Sequence, residues 1–251
     1  MTSLKALSAA SPARRAAARN VSVRFGGQQV LDGLNFALGD GELVMLRGKN
    51  GSGKTTLMNV LSGYLQPDGG EIRLRLDNEW IDVTTTNPVR LARRGVGRLW
   101  QDIRLFPTMT VLENVLAATP GLVGQSPLLA ILAYPWVRRQ EQDARERAMH
   151  NLSLVGMEDR TDSSCDMLSV GQMKRVAIAR LLQMEVNLML LDEPLAGLDT
   201  ASAEAFANDL SHLCAEHNKT LVVVEHRHAR IESIVDRVCF LRKGKIEEAP
   251  A

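Results

Sequence analysis

The chain has 251 residues, 45% of them apolar and 24% charged, enough to bury a core of its own in one domain with room for a subdomain. Lys+Arg number 30 against 29 Asp+Glu, which excludes the basic excess that non-specific nucleic-acid binding requires. Cys165, Cys214 and Cys239 are scattered, odd in number and without metal-ligand spacing, a pattern that fits reduced thiols acting as small hydrophobes. No stretch reaches the roughly 18 apolar residues that span a bilayer; the nearest, Pro127 to Tyr134, is short and is followed by Pro135.

From the start of the chain, Met1 to Asn20 is rich in Ala, Ser and Arg, and the first carboxylate is Asp32. Transit peptides share that composition, but its low complexity favours a disordered basic extension over 1–20, with a single domain over 21–251. Apolar alternation over Val21–Phe25, with Val30-Leu31 after the turn residues Gly26-Gly27, predicts an opening antiparallel portion. Leu43–Leu46 is a continuous apolar run, as in a strand buried on both faces. A glycine-rich loop follows, then a helix over Thr55–Leu61 that ends at Gly63.

From Val111 to Met184 the pattern is mostly helical, with a charged, solvated helix over Gln140–His150. Two further apolar runs, Leu188–Leu191 and Leu221–Val224, flank a helix over Ala201–Glu216. Strand, helix, strand implies a right-handed parallel crossover. The fold expected is α/β: a mainly parallel sheet, an antiparallel β portion, and an inserted α-helical subdomain at about 102–184.

Gly48-Lys49-Asn50-Gly51-Ser52-Gly53-Lys54-Thr55 matches the phosphate-loop spacing G-x-x-x-x-G-K-[ST]. A triphosphate must be held without steric obstruction. Glycines at 48, 51 and 53 let successive backbone N–H groups face inward as an anion nest, and the helix N-terminus adds its free N–H groups and dipole. Lys54 can reach the β- and γ-phosphates, Thr55 can give its hydroxyl to Mg²⁺, and Thr56 can bond the α-phosphate. The core is thus expected to be that of a P-loop NTPase. Asp192 and Glu193 close the apolar run 188–191, at the strand end that lies beside the phosphates. Asp192 is placed to hold Mg²⁺, mainly through its water; Glu193 points differently and can polarise the attacking water.

At this point the chain resembles the ATP-binding cassette (ABC) ATPases. Leu168-Ser169-Val170-Gly171-Gln172, followed by Lys174 to Arg180, looks like the family's signature and its helix. Gln101 resembles the Q-loop residue, which faces Mg²⁺ and the attacking water. Asp199 resembles the D-loop aspartate and His226 the switch histidine, and Phe25 sits where the family stacks an aromatic on adenine. The resemblance covers roughly Val21 to Glu247. Val170 replaces the commoner glycine of the signature, and Ala196-Gly197 replaces the commoner Ser-Ala before Leu198-Asp199; neither implies a dead enzyme.

The family mechanism that the resemblance implies pairs two cassettes head to tail. Each ATP then lies between one phosphate loop and the other cassette's Ser169, Gly171 and Gln172. The second ABC ATPase is an identical copy or a paralogue, and the transmembrane permease subunits are separate chains, with this chain peripheral on the cytoplasmic face of the inner membrane. The arginines Arg90, Arg93, Arg94 and Arg98 before Gln101 are expected on a solvated surface, and Leu128–Trp136 as either a docking patch or subdomain core. The stretch Trp100 to Val115, with Glu225-His226, resembles the branched-chain amino-acid and urea importer subfamily. An exporter ATPase and a non-transport ABC ATPase share these motifs and stay open.

Overall fold

Five short runs become parallel strands, four of them with both faces buried. In the computed structural model, which describes residues 14–121, 134–225 and 232–248, these are β3 (Leu43–Arg47), β6 (Val96–Leu99), β7 (Leu188–Asp192), β8 (Thr220–Val224) and β9 (Arg237–Arg242). They lie in the order β9-β3-β8-β7-β6, with β10 (Lys245–Glu248) antiparallel on the β9 edge. The order is that of an open sheet whose loops at the strands' carboxyl ends collect on one edge.

Val44, Leu46, Leu188, Leu190, Val222 and Val224 turn to one face of this sheet. There they pack against helix α1 (Lys54–Leu61) and against a second, antiparallel sheet of order β2-β1-β4-β5. Its strands are β1 (Arg14–Phe25), β2 (Gln28–Gly39), β4 (Gly69–Leu76) and β5 (Glu79–Asp82). Met45, Met189, Leu191, Leu221 and Val223 turn to the other face. They are covered by α3 (Val111–Leu116), α4 (Tyr134–Ser153), α5 (Val170–Gln183) and α6 (Thr200–His217), while the short α2 (Pro88–Arg93) precedes β6. Helices α3, α4 and α5 all fall between β6 and β7 in the chain, as an insertion into the α/β core. In α4, Ala144 and Ala148 are buried while the charged residues around them face water.

The extension expected through Asn20 is shorter than the composition suggested. β1 begins at Arg14, and Ala16, Ala17 and Ala18 are buried in the second position of the antiparallel sheet. They pair with Phe36–Leu38 of β2 on one side and with Ile72–Leu74 of β4 on the other. Alanine carries no branched or aromatic strand signal, so a strand that needs small side chains between two neighbours looks like low complexity. Residues 1–13 lie outside the described residues, as do Leu128–Ala133 and His226. Tyr134–Trp136, at the start of α4, is the described part of that apolar segment, and Trp136 is exposed. Among the described residues no helix is long and apolar enough to cross a membrane.

All three cysteines are free and buried, and burial pushes the Cys214 thiol up to about 12. They act as hydrophobes, as expected. A chain that begins at Val21 loses the ladder from Ala16 to Arg19 on β4. It should be less stable by about 2–3 kcal/mol from the three alanine methyls alone, read as a lower urea midpoint than that of the full chain.

Candidate active site

Four segments leave the carboxyl edge of the parallel sheet together: residues 48–53 after β3, Trp100-Gln101 after β6, Glu193 after β7 and Glu225 after β8. Phe25, Asn50, Gly51, Gly53, Lys54, Thr55, Thr56, Gln101, Asp192 and Glu193 line one cleft of about 790 Å³ there. Residues far apart in the chain are thus gathered at one edge, while Gly48 and Ser52 line a neighbouring hollow with Glu225 and Phe240. Phe25, half exposed at the β1–β2 turn, forms one wall of it.

The loop before α1 is shaped for an anion. A Cβ on Gly48 would lie 2.5 Å from both the Leu241 carbonyl oxygen and Ser52 Oγ, so only glycine fits. The glycine N-cap of α1, Gly53, supplies no side-chain cap to the first-turn N–H groups, which suits them to a phosphate. Ser52 Oγ is buried without a hydrogen-bond partner among the described residues. Lys54 Nζ donates to the carbonyls of Gly48 at 2.9 Å and Lys49 at 3.0 Å. Burial lowers its pKa, and Asp192 and Glu193 oppose that shift. The donors available for a metal here are oxygens: the Thr55 hydroxyl, the Gln101 amide and the Asp192 carboxylate. That set fits a hard divalent cation such as Mg²⁺.

Glu193 sits in the left-handed region at φ +49°, which costs a non-glycine residue about 1–3 kcal/mol. The turn takes its side chain off the strand's alternation, so it lines the same cleft as Asp192 instead of turning to the opposite face of the sheet. Its N–H donates to Val224 O at 3.0 Å, and Gln101 Nε2 donates to its Oε2 at 3.3 Å. A carboxylate held this way in a phosphate cleft can polarise water.

Ser169 does not line this cleft. It caps α5 in a capping box: Ser169 Oγ accepts from Gln172 N at 3.2 Å, and Gln172 Oε1 accepts from Ser169 N at 2.9 Å. With its lone pair engaged by the helix, the hydroxyl can direct its own proton outward to an anion. Asp199 caps α6, accepting from Ser202 N and Ser202 Oγ, and those bonds lower its pKa.

The ABC transporter family model matches residues 31–196, more than half of the chain. This chain belongs to the ABC transporter family. The high-affinity branched-chain amino acid transport ATP-binding protein BraF of Pseudomonas aeruginosa is 35% identical over 224 residues, 89% of this chain and 86% of BraF. Among solved structures, the ADP conformation of MJ1267, an ATP-binding cassette of an ABC transporter, matches with a TM-score of 0.79 and 30% identity, covering 95% of this chain and 91% of that one. The dimeric post-hydrolysis state of the cassette MJ0796 bound to ADP and Pi matches with a TM-score of 0.71 and 28% identity, over 93% and 97% of the two chains. The chain is therefore an ABC cassette, an ATP-binding ATPase of the transporter kind.

Within this cassette the sequence motifs missed three residues. Arg98, expected on a solvated surface with Arg90, Arg93 and Arg94, instead has a side chain only 4% exposed. Its Nη1 donates to Asn59 Oδ1 at 2.5 Å and Ser62 Oγ at 3.3 Å, its Nη2 lies 3.9 Å from Asp192 Oδ2, and its guanidinium stacks 3.7 Å from the Trp100 ring centre. Tyr64 meets the same ring edge-on at 5.2 Å. Burial lowers the Arg98 pKa, and Asp192 counters it. Arg90 and Arg93 are exposed, and Arg94 pairs with Asp77 and Glu79 at the surface. The signal for Arg98 was its place in a four-residue strand flanked by Val96, Gly97 and Leu99, where a cation has to be paired.

Lys174 and Glu225 are the other two, both buried. Lys174 stands four residues before Ile178 on the apolar face of α5, a position the helical period could have flagged.

Arg98→Met removes the cation beside Asp192 and leaves that carboxylate partly buried. It should cost about 3 kcal/mol, seen as a lowered urea midpoint. Arg98→Lys should recover little of this, because it cannot stack on Trp100.

Proposed function

We propose that this chain is the energy-supplying subunit of a membrane importer and that two copies, or one copy and a paralogue, close head to tail around two ATP molecules. The observation that carries the reading is the separation of the two halves of the chemistry. Lys54, Thr55, Asp192 and Glu193 share one cleft, whereas Ser169 and Gly171 lie outside its walls at the start of α5. A donor set outside its own cleft is available to another cassette, and the solved dimer of the cassette MJ0796 bound to ADP and Pi supports pairing of two cassettes.

In this reading Phe25 stacks on the adenine, and the N–H groups of 48–53, with Lys54, hold the β- and γ-phosphates. Thr55, Asp192 and Gln101 hold Mg²⁺, which screens charge on the phosphate oxygens. Glu193 takes up the proton of the attacking water while Gln101 keeps its carboxylate turned into the cleft, and His226, next in the chain after Glu225, serves as the family's switch histidine. Asp199 and the signature residues Ser169, Gly171 and Gln172 complete the partner's site. ATP joins the two surfaces, and hydrolysis removes the joint.

Gln101 opens the segment that leads into the helical insertion, and Phe106 and Met109 are exposed along it. That apolar strip suits a transmembrane subunit in a separate chain, with the cassette peripheral on the cytoplasmic face of the inner membrane and the helical subdomain, about 102–184, moving against the core. The kinship with BraF supports branched-chain amino acids or similar small polar solutes as cargo, selected by the other subunits.

Glu193→Gln should reduce turnover by about 10²–10⁴-fold while ATP binding persists. With Mg²⁺ and ATP it should elute as a dimer that ADP does not support; a monomer under both conditions would count against the head-to-tail site. Purification of the tagged chain from membranes should recover a polytopic partner, and uptake assays of cells lacking the chain should show loss of branched-chain amino-acid import. Recovery of a soluble partner alone would favour a non-transport ATPase, and efflux defects would favour an exporter.

A further inference from the structure

Lys174, in the second turn of α5, is only 5% exposed, and its Nζ donates to two backbone carbonyls of another segment: Glu193 O at 2.7 Å and Ala196 O at 2.6 Å. The same short segment is gripped from β8, where Glu193 N donates to Val224 O at 3.0 Å and Leu195 N donates to Glu225 Oε1 at 2.7 Å. Glu225 is itself 3% exposed. Burial lowers the Lys174 pKa, and Glu225 and Glu193 counter that shift. A second contact lies one turn nearer the start of α5: a Cβ on Gly171 would stand 2.6 Å from Leu198 Cδ2, so the helix and the 193–199 segment touch without a gap. The residues that face a partner's nucleotide and the residue that faces this protomer's own nucleotide are thus joined through one ammonium group.

We propose that Lys174 is a positioning residue for hydrolysis, tying the backbone of Glu193 to the signature helix so that the carboxylate is set for attack only when α5 is seated. The inference rests on Glu193 acting on the attacking water and on Ser169 facing the partner's ATP. An ammonium suits the task because its three donors can serve converging carbonyls at once, and the charged donor makes each bond stronger than a neutral one. Because Glu193 is in a left-handed conformation, its backbone has an easier geometry to relax into once the tie is cut. A misplacement of about 1 Å at a reacting group is enough to cost on the order of 10²-fold in rate. Through this tie, closure of one nucleotide site reports to the hydrolytic group of the other.

The test compares full-length wild type, Lys174→Met, Lys174→Arg and Glu193→Gln in Mg-ATP hydrolysis and in size-exclusion chromatography with Mg-ATP. Lys174→Met should lose about tenfold to a hundredfold in kcat with KM for ATP within about twofold. It should also accumulate the ATP-bound dimer, as is expected of Glu193→Gln. Lys174→Arg, which keeps a charged donor, should regain most of the turnover. Wild-type kcat in Lys174→Met overturns the proposal. So does a fall in kcat accompanied by loss of the dimer, since that marks damage to α5 itself. Where Lys174→Met shows no cooperative unfolding, Lys174→Gln takes its place under the same criteria; failure of every variant but Arg to fold makes Lys174 a structural strut and likewise overturns it. Undiminished hydrolysis by Glu193→Gln is a separate result, and overturns the assignment of Glu193 rather than the tie.

Discussion

The register of the central strands is the constraint on which the site depends. Leu46 of β3 and Asp192 of β7 both lie beside Val224 of β8, so the phosphate loop, the acidic pair and Glu225 leave the sheet at one level. A parallel sheet buried on both faces admits no slip, because moving any strand by one residue would exchange its two apolar sets and set Asp192 at a different height. The two cores, one under α1 and the antiparallel sheet and the other under α3, α5 and α6, hold that register from both sides. Packing far from any phosphate therefore decides how far Lys54 stands from Glu193.

Charge is handled at this edge by confinement more than by direct pairing. Lys54, Arg98 and Lys174 are buried cations whose ordinary pKa values are pulled down by desolvation, and Asp192, Glu193 and Glu225 supply the opposing field. Each cation is also anchored to neutral partners: Lys54 and Lys174 to carbonyl oxygens, Arg98 to Asn59, Ser62 and the face of Trp100. A cation fixed by neutral acceptors keeps its position when charge arrives or leaves nearby. That is what a site needs if it is to take up a polyanion and release it again without refolding.

How much of this could be read beforehand depended on which part of a residue does the work. The phosphate loop was legible because its function uses backbone N–H groups, and a loop with no room for a Cβ at Gly48 and positive φ at Gly51 and Gly53 calls for glycine, so the chemistry is written into residue identity. Asp192 and Glu193 were legible because two carboxylates after an apolar run have few structural uses. The strand over Arg14–Asn20 was not, since alanine is compatible with both a central strand and no structure, and only the partners β2 and β4 choose between them. Arg98 was read as a surface charge, and Lys174 only as part of the signature helix, because their partners, Asp192 and the carbonyls of Glu193 and Ala196, are supplied by distant parts of the chain. Nothing within a few residues of either one encodes that meeting.

The two departures from the family's usual motifs bear on the same junction. Val170, in place of glycine in the signature, and Gly197, in place of the commoner alanine, lie across from each other, so that a Cβ on Gly197 would sit 3.9 Å from Val170 Cγ1. The larger residue on α5 faces the smaller one on the segment before Asp199, and the contact stays within ordinary van der Waals distance. Val170 is half exposed at the helix N-terminus, where a partner's nucleotide would approach, yet Ser169 and Gly171 on either side keep the cap and the close packing on Leu198. The exchange of bulk leaves the link from α5 to Glu193 in place, because that link runs through Lys174 and the backbone, not through the side chains that changed.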